Sequence, residues 1–267
     1  MFTKPLSQLL SMLVLVCTAC AAGSTETITI IADEWCPYNC QPESASPGMG
    51  IEIAEQVFSS AGIKVEYKLY PWTEALQRVR EGKDSAVIGA FRTDAPDFIF
   101  PAIPFSFSRQ CFYTRQDSDW KFKNIASLNG LVLGVIDGYS YGNLVDAYIR
   151  DHRDSDRVYI SRNTPAAMTG GTAGLTDLIA RMQEGGIDVL IEDRNVLSYD
   201  LGDDTPEQAL RDAGCFPSSS VYIAFSPATP DKSLRYIRLL DRGMRRMYQD
   251  GVIQKITSKY TATSGTE

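Results

Sequence analysis

The sequence predicts an α/β protein of two lobes, each a mostly parallel sheet flanked by helices. Strand-like and helix-like segments alternate in the order βαβαβ, a unit that requires a parallel sheet with right-handed crossovers. The same order recurs in the second half of the chain. After an export-like leader, roughly 245 residues remain, which is long for one core and comfortable for two.

Residues 1–22 read as that leader. Lys4 precedes an apolar run over 9–16, and the small residues Ala19, Ala21 and Ala22 follow. The run is shorter than the ~20 residues of a membrane span. No later segment is apolar enough to anchor the chain, so the mature protein is expected in soluble form in the periplasm. Thr18-Ala19-Cys20 resembles the end of a lipoprotein cleavage box, but Cys17 stands where Leu is usual. Cleavage near Ala21 or Ala22 is therefore expected in preference to a lipid anchor at Cys20.

The first repeat begins with β-branched, apolar residues over 27–33. A helix over 49–61 puts Ile51, Ala54, Val57 and Phe58 on one face and ends at Gly62. Residues 64–70 alternate Val65, Tyr67 and Leu69 with polar neighbours, a half-buried strand. Trp72-Thr73 opens a helix with Leu76 and Val79 inward and Gly82 at its end, and 85–91 is the third strand. The second repeat has strands over 131–136, 157–161 and 187–192 and helices over 143–150 and 175–184. Glu81-Gly82-Lys83-Asp84 is echoed by Glu184-Gly185-Gly186-Ile187-Asp188. One more strand is expected over 221–226. Helices then close the chain, with core stripes Leu234, Ile237, Leu240, Met244, Met247 and Ile253, Ile256, Tyr260.

Composition and motifs exclude several functions. The formal net charge is −7, and the leader's only charged residue is Lys4. This acidic balance argues against nucleic acid or anionic lipid as partners. Four cysteines remain after the leader: Cys36, Cys40, Cys111 and Cys215. In an oxidising compartment they suggest two disulfides with three pairings open. Cys36 and Cys40 close a short loop and are paired here, leaving Cys111 for Cys215. No metal site is expected, because the spacing is C-x3-C and the only histidine, His152, lies in a charged segment and reads as solvated. No Gly-x-Ser-x-Gly elbow is present. Thr169-Gly170-Gly171-Thr172-Ala173-Gly174 lacks the Lys-Ser/Thr ending of a phosphate loop and reads as a lead into a helix. The run Arg242, Arg245, Arg246 reads as a solvated helix face. No cofactor is expected.

The candidate site is the loop Ala32-Asp33-Glu34-Trp35-Cys36-Pro37-Tyr38-Asn39-Cys40, at the carboxyl end of the first strand. Open α/β sheets bind ligands there, and rings beside carboxylates offer apolar faces with polar edges.

The order Trp35-x-Pro37-Tyr38, Gly50-Ile51-Glu52-Ile53-Ala54, Tyr70-Pro71-Trp72, Gly82 and Asp84 resembles the family 3 bacterial extracellular solute-binding proteins. So do Leu128-Asn129-Gly130, Gly138-Tyr139-Ser140-Tyr141-Gly142, Asp188 with Asp193, Tyr222-Ile223-Ala224-Phe225-Ser226 and Met247-Tyr248-Gln249-Asp250-Gly251. The resemblance covers nearly all of the mature chain. It implies the two-lobed periplasmic binding protein fold (type II), with lobe one at 25–107 and 227–261, lobe two at 108–226, and a ligand cleft that closes by hinge motion. It implies Trp35 and Trp72 as aromatic walls and the Tyr139, Ser140, Tyr141 loop as an anion-favouring helix start. It also implies Asp193 as partner of a ligand amino group.

The stretch Gly89-Ala90-Phe91-Arg92-Thr93-Asp94-Ala95-Pro96 departs from the family pattern. Thr93 is kept, but Phe91 replaces a small polar residue, and Pro96 stands where an Arg usually forks onto the α-carboxylate. Arg92 is displaced from that position, and a one-residue shift along a strand reverses side-chain direction. The ligand-binding set expected is Glu34, Trp35, Trp72, Phe91, Arg92, Thr93, Tyr139, Ser140, Tyr141 and Asp193. Asp33, Glu34, Glu192 and Asp193 outnumber Arg92 and Arg194, so a small polar solute with a positive group is expected. The resemblance implies an ABC permease or a membrane sensor as partner to a monomeric receptor. A dehydratase acting on prephenate-like acids is the alternative on this scaffold.

Overall fold

The computed structural model describes residues 25–162, 173–202 and 210–261. The expected leader, Cys20 within it, and the stretch from Thr169 to Thr172 lie outside these residues. Among the described residues no helix is long and apolar enough to cross a membrane.

Strands β1 (Thr27–Ala32), β2 (Lys64–Leu69) and β3 (Ala86–Ala90) run parallel, joined by α1 (Met49–Ser59) and α2 (Trp72–Arg80). Period-two alternation divides the strand residues between two helical layers. Ile28, Ile30, Ala86 and Ile88 pack in the cluster that holds α1, whereas Ile31 and Val87 pack with Trp72, Ala75, Leu76 and Val79 of α2. β1 is central and buried on both faces. β2 is at the edge and half-buried, as its alternation predicts.

The chain leaves this sheet after β4 (Ser106–Ser108) and enters the second with β5 (Gln110–Thr114). A short 3-10 turn (Ile125–Leu128) precedes β6 (Leu133–Ile136), α3 (Asn143–His152), β7 (Val158–Ser161), α4 (Ala173–Gln183) and β8 (Val189–Asp193). α5 (Arg194–Leu201) and β9 (Arg211–Cys215) complete this half. β10 (Ser219–Phe225), α6 (Pro230–Gln249) and α7 (Val252–Thr261) return to the first. The sheet orders are β2-β1-β3-β10-β4 and β7-β6-β8-β5-β9. Each places three parallel strands beside an antiparallel one, so the echoed sequence order is a repeated architecture.

Both expected disulfides are formed. Cys36 joins Cys40, and Cys111 joins Cys215 directly across the β5–β9 register. Three expectations need correction. The strand expected over 221–226 at the end of lobe two is β10, which pairs with β3 and β4, so the second crossing falls before Ser219 rather than near 226. Leu234 is exposed because it sits ~100° round α6 from buried Ser233, off the face held by Ile237, Leu240, Met244 and Met247. His152 is half-buried, stacked on the Tyr148 ring with centroids 4.2 Å apart.

Candidate functional site

The site grows from the carboxyl end of β1. Beyond Ala32 the chain turns tightly: Trp35 N–H donates to Asn39 O at 2.8 Å, and Tyr38 N–H returns to Trp35 O at 3.0 Å. The Cys36–Cys40 bond closes this turn, and the Tyr38 ring stacks on Trp35 with centroids 4.3 Å apart. Phe91, just beyond β3, meets the indole edge-on at 6.1 Å. Gly89 makes this approach possible. Its φ is +92°, and a Cβ there would lie 3.0 Å from Asn39 Oδ1 and 3.5 Å from Trp35 Cε3.

The Trp35 and Phe91 rings bound a cavity of about 20 Å³, also walled by Asp33, Trp72, Asp94, Gln110 and Tyr139. Among the described residues, its walls carry two carboxylates and no basic side chain. Asp33 accepts from the Tyr139 hydroxyl at 2.6 Å. Asp94 folds back on its own loop, Oδ2 accepting from Phe91 N–H at 2.6 Å. No donor among the described residues reaches Asp94 Oδ1 or Gln110 Oε1. Burial pushes the Asp94 carboxyl up to about 7.

A second, roomier cavity of about 570 Å³ adjoins the first, sharing Phe91, Gln110 and Ser140 in its walls. Arg92 lines it, its guanidinium carbon 4.9 Å from the Phe100 ring centroid and 4.7 Å from that of Tyr222. β3 ends at Ala90, so the alternation that would turn Arg92 away no longer applies in this loop.

Among the described residues, hydrogen bonds between side chains of the two lobes hold the cleft shut, including Asn195 Nδ2 donating to the Tyr38 hydroxyl at 2.9 Å. Trp35 Nε1–H donates to Glu192 Oε1 at 3.3 Å, and the Tyr139 hydroxyl donates to Asp33. The Tyr38 hydroxyl reaches Asp193 Oδ1 at 3.2 Å, and Ser140 Oγ lies 3.1 Å from Thr93 Oγ1. Glu192 is fully buried, with no partner for Oε2 among the described residues. Burial pushes its carboxyl up to about 8.

The structure sorts the expected residues. Trp35, Trp72, Phe91, Tyr139 and Ser140 line the small cavity; Arg92, Thr93 and Tyr141 line the large one, along with Phe91 and Ser140. The Tyr141 hydroxyl is turned inward and accepts from Ile136 N–H at 2.8 Å. Two expectations are corrected. Asp193 lines neither cavity: its Oδ1 caps α5, accepting from Asn195 N–H at 2.8 Å and Val196 N–H at 3.0 Å, and Oδ2 takes Arg109 N–H at 2.8 Å. Glu34 faces a separate groove with Cys36, Cys40 and Tyr199 and accepts from Gln41 Nε2 at 2.6 Å. Asp94, Gln110 and Asn39 were not in the expected set. Asp94 was visible inside the departing stretch, whereas nothing in the local pattern marks Gln110, which a lobe crossing delivers.

This is the cleft of a two-lobed solute-binding protein. The chain belongs to the bacterial extracellular solute-binding proteins, family 3, whose family model matches residues 28–263. Solved structures share the fold at low identity. An amino acid ABC transporter substrate-binding protein of Streptococcus pneumoniae, bound to L-arginine, is 14% identical, with TM-score 0.67 over 91% of this chain and 97% of that one. A histidine kinase sensor domain similar to periplasmic binding proteins is 16% identical, with TM-score 0.68 over 88% and 95%. An ancestral amino acid-binding protein, a precursor of cyclohexadienyl dehydratase, is 16% identical, with TM-score 0.64 over 88% and 95%. No curated protein sequence matches the chain.

Proposed function

We propose that the protein is a periplasmic receptor that captures a small cationic solute between its lobes and delivers it to an ABC permease. The observation that carries this reading is the small cavity's walls, two carboxylates and aromatic rings with no basic side chain among the described residues. A buried acceptor without a donor costs ~1–3 kcal/mol, more when charged, and a ligand N–H removes that cost. An ammonium or guanidinium group fits the Asp94 and Gln110 oxygens, with indole and phenyl faces for cation–π contact. The inter-lobe hydrogen bonds are the closed state of a hinge that this solute stabilises. The arginine-bound streptococcal relative supports a cationic solute on this fold.

The test is thermal unfolding of ligand-free protein with panels of amines, guanidines and carboxylates. A ligand that binds only the folded state adds ~2.7 kcal/mol at a hundredfold excess over Kd. Amines or guanidines should stabilise the wild type and lose the effect in Asp94→Asn. A response confined to carboxylates would refute the reading. The dehydratase reading gains support from one feature, a carboxyl held near neutrality as a general acid requires. It predicts turnover of prephenate.

A further inference from the structure

The two adjoining cavities are opposite in charge. Among the described residues, the small one has two acids and no base, and the large one has Arg92 and no acid. We infer that the large cavity seats an anionic group of the same solute, clamped by Arg92, so that the ligand is longer than an α-amino acid with its amine and acid groups well separated. This rests on Asp94 being the cation's seat.

Size is the first support. About 20 Å³ accommodates roughly one water-sized group, since a single water needs about 10–15 Å³, and an ammonium head is of that size. The body of the solute then has to lie in the adjoining 570 Å³, a volume typical of small-molecule sites (~300–1,000 Å³). Continuity is the second. Phe91, Gln110 and Ser140 wall both spaces, and Gln110 is only 9% exposed, with Oε1 lacking a donor among the described residues.

Arg92 supplies the third. Its guanidinium lies against two rings and donates one N–H to Pro101 O at 3.2 Å. Among the described residues no carboxylate forms an ion pair with it, so most of its five N–H donors remain for an anion. The rings fix the planar fork in advance, which reduces what binding must order.

Titration calorimetry with two homologous series tests this: ω-amino carboxylates and α,ω-diamines of equal chain length. Wild-type protein should prefer an amino carboxylate of the right length over its matched diamine. Arg92→Gln should erase about tenfold or more of that preference, as expected for losing a charge-assisted pair. Arg92→Lys, which keeps the charge but not the fork, should retain part of it. Equal or tighter diamine binding in the wild type, or an undiminished preference in Arg92→Gln, overturns the anion clamp and leaves the Asp94 reading standing. Binding by neither series, or binding unchanged in Asp94→Asn, overturns the Asp94 reading and the clamp with it.

Discussion

Each sheet ends its third parallel strand near an acid, and the two acids are used in opposite ways. Asp193, at the end of β8, is saturated: three backbone N–H groups and the Tyr38 hydroxyl converge on it. Asp94, in the loop after β3, receives one backbone N–H and leaves Oδ1 without a donor among the described residues. Asp193 is fully buried and Asp94 half-buried with its Oδ1 out of solvent, so a shielded carboxylate oxygen alone does not mark a binding acid. The donor inventory does: a carboxylate whose acceptors are filled by its own backbone is part of the frame.

The largest effect of a substitution should come from breaking the saturated acid. Asp193→Ala removes the α5 cap and orphans Arg109, Asn195 and Val196 N–H groups, costing about 3 kcal/mol or more in urea unfolding. A loss under ~1 kcal/mol would remove the distinction between the two acids.

Next is pH. Asp94 is raised from 3.8 to about 7 and Glu192 from 4.5 to about 8. A raised folded-state pKa means that the folded protein holds protons the unfolded chain has released. This contribution is therefore fully present below the unfolded values and lost as pH rises through about 7 and 8. Stability of the ligand-free protein should fall by ~3–7 kcal/mol between pH 5 and pH 9, with Glu192→Gln flattening the upper part of the curve. Affinity for a cation should change in the other direction, rising through pH 7 as Asp94 ionises.

Gly89→Ala probes the packing of β3, which leads into the Asp94 loop, against the Trp35–Asn39 turn. At φ +92°, with Asn39 Oδ1 3.0 Å from the new Cβ, it should cost about 1–2 kcal/mol and weaken ligand response. The smallest stability effect belongs to Asp94→Asn, within about 1 kcal/mol of wild type at pH 7, because the amide oxygen still accepts from Phe91 N–H while the poorly solvated charge is removed. That variant should nevertheless lose its thermal response to amines. Stability retained with binding lost would sharpen the contrast with Asp193.

Much of this was legible in the sequence where the information is local. The alternation of 64–70 and the 3.6-residue stripes of α1 and α2 predicted their elements, and the Trp35 loop and both disulfides were readable. What escaped depends on distant pairing. Arg211–Cys215 has no apolar alternation because β9 is an edge strand tied to β5 by a disulfide, and β10's sheet is chosen by β3 and β4. The resemblance implies Asp193 as a ligand partner, yet an Asp immediately before a helical segment is also an N-cap signal, and the cap is what formed. Gln110 could not be found, since only the lobe crossing brings it to the cavity.

The central claim, that Asp94 seats a cation, is tested most directly by counting protons. Calorimetric titration at pH 7 in buffers of different ionisation enthalpy, with an amine that stabilises the fold, measures protons exchanged on binding. With Asp94 near half-protonated at that pH, a bound cation should expel about half a proton, and Asp94→Asn should abolish the release. Tight binding without proton release, or the same release in the variant, would contradict it.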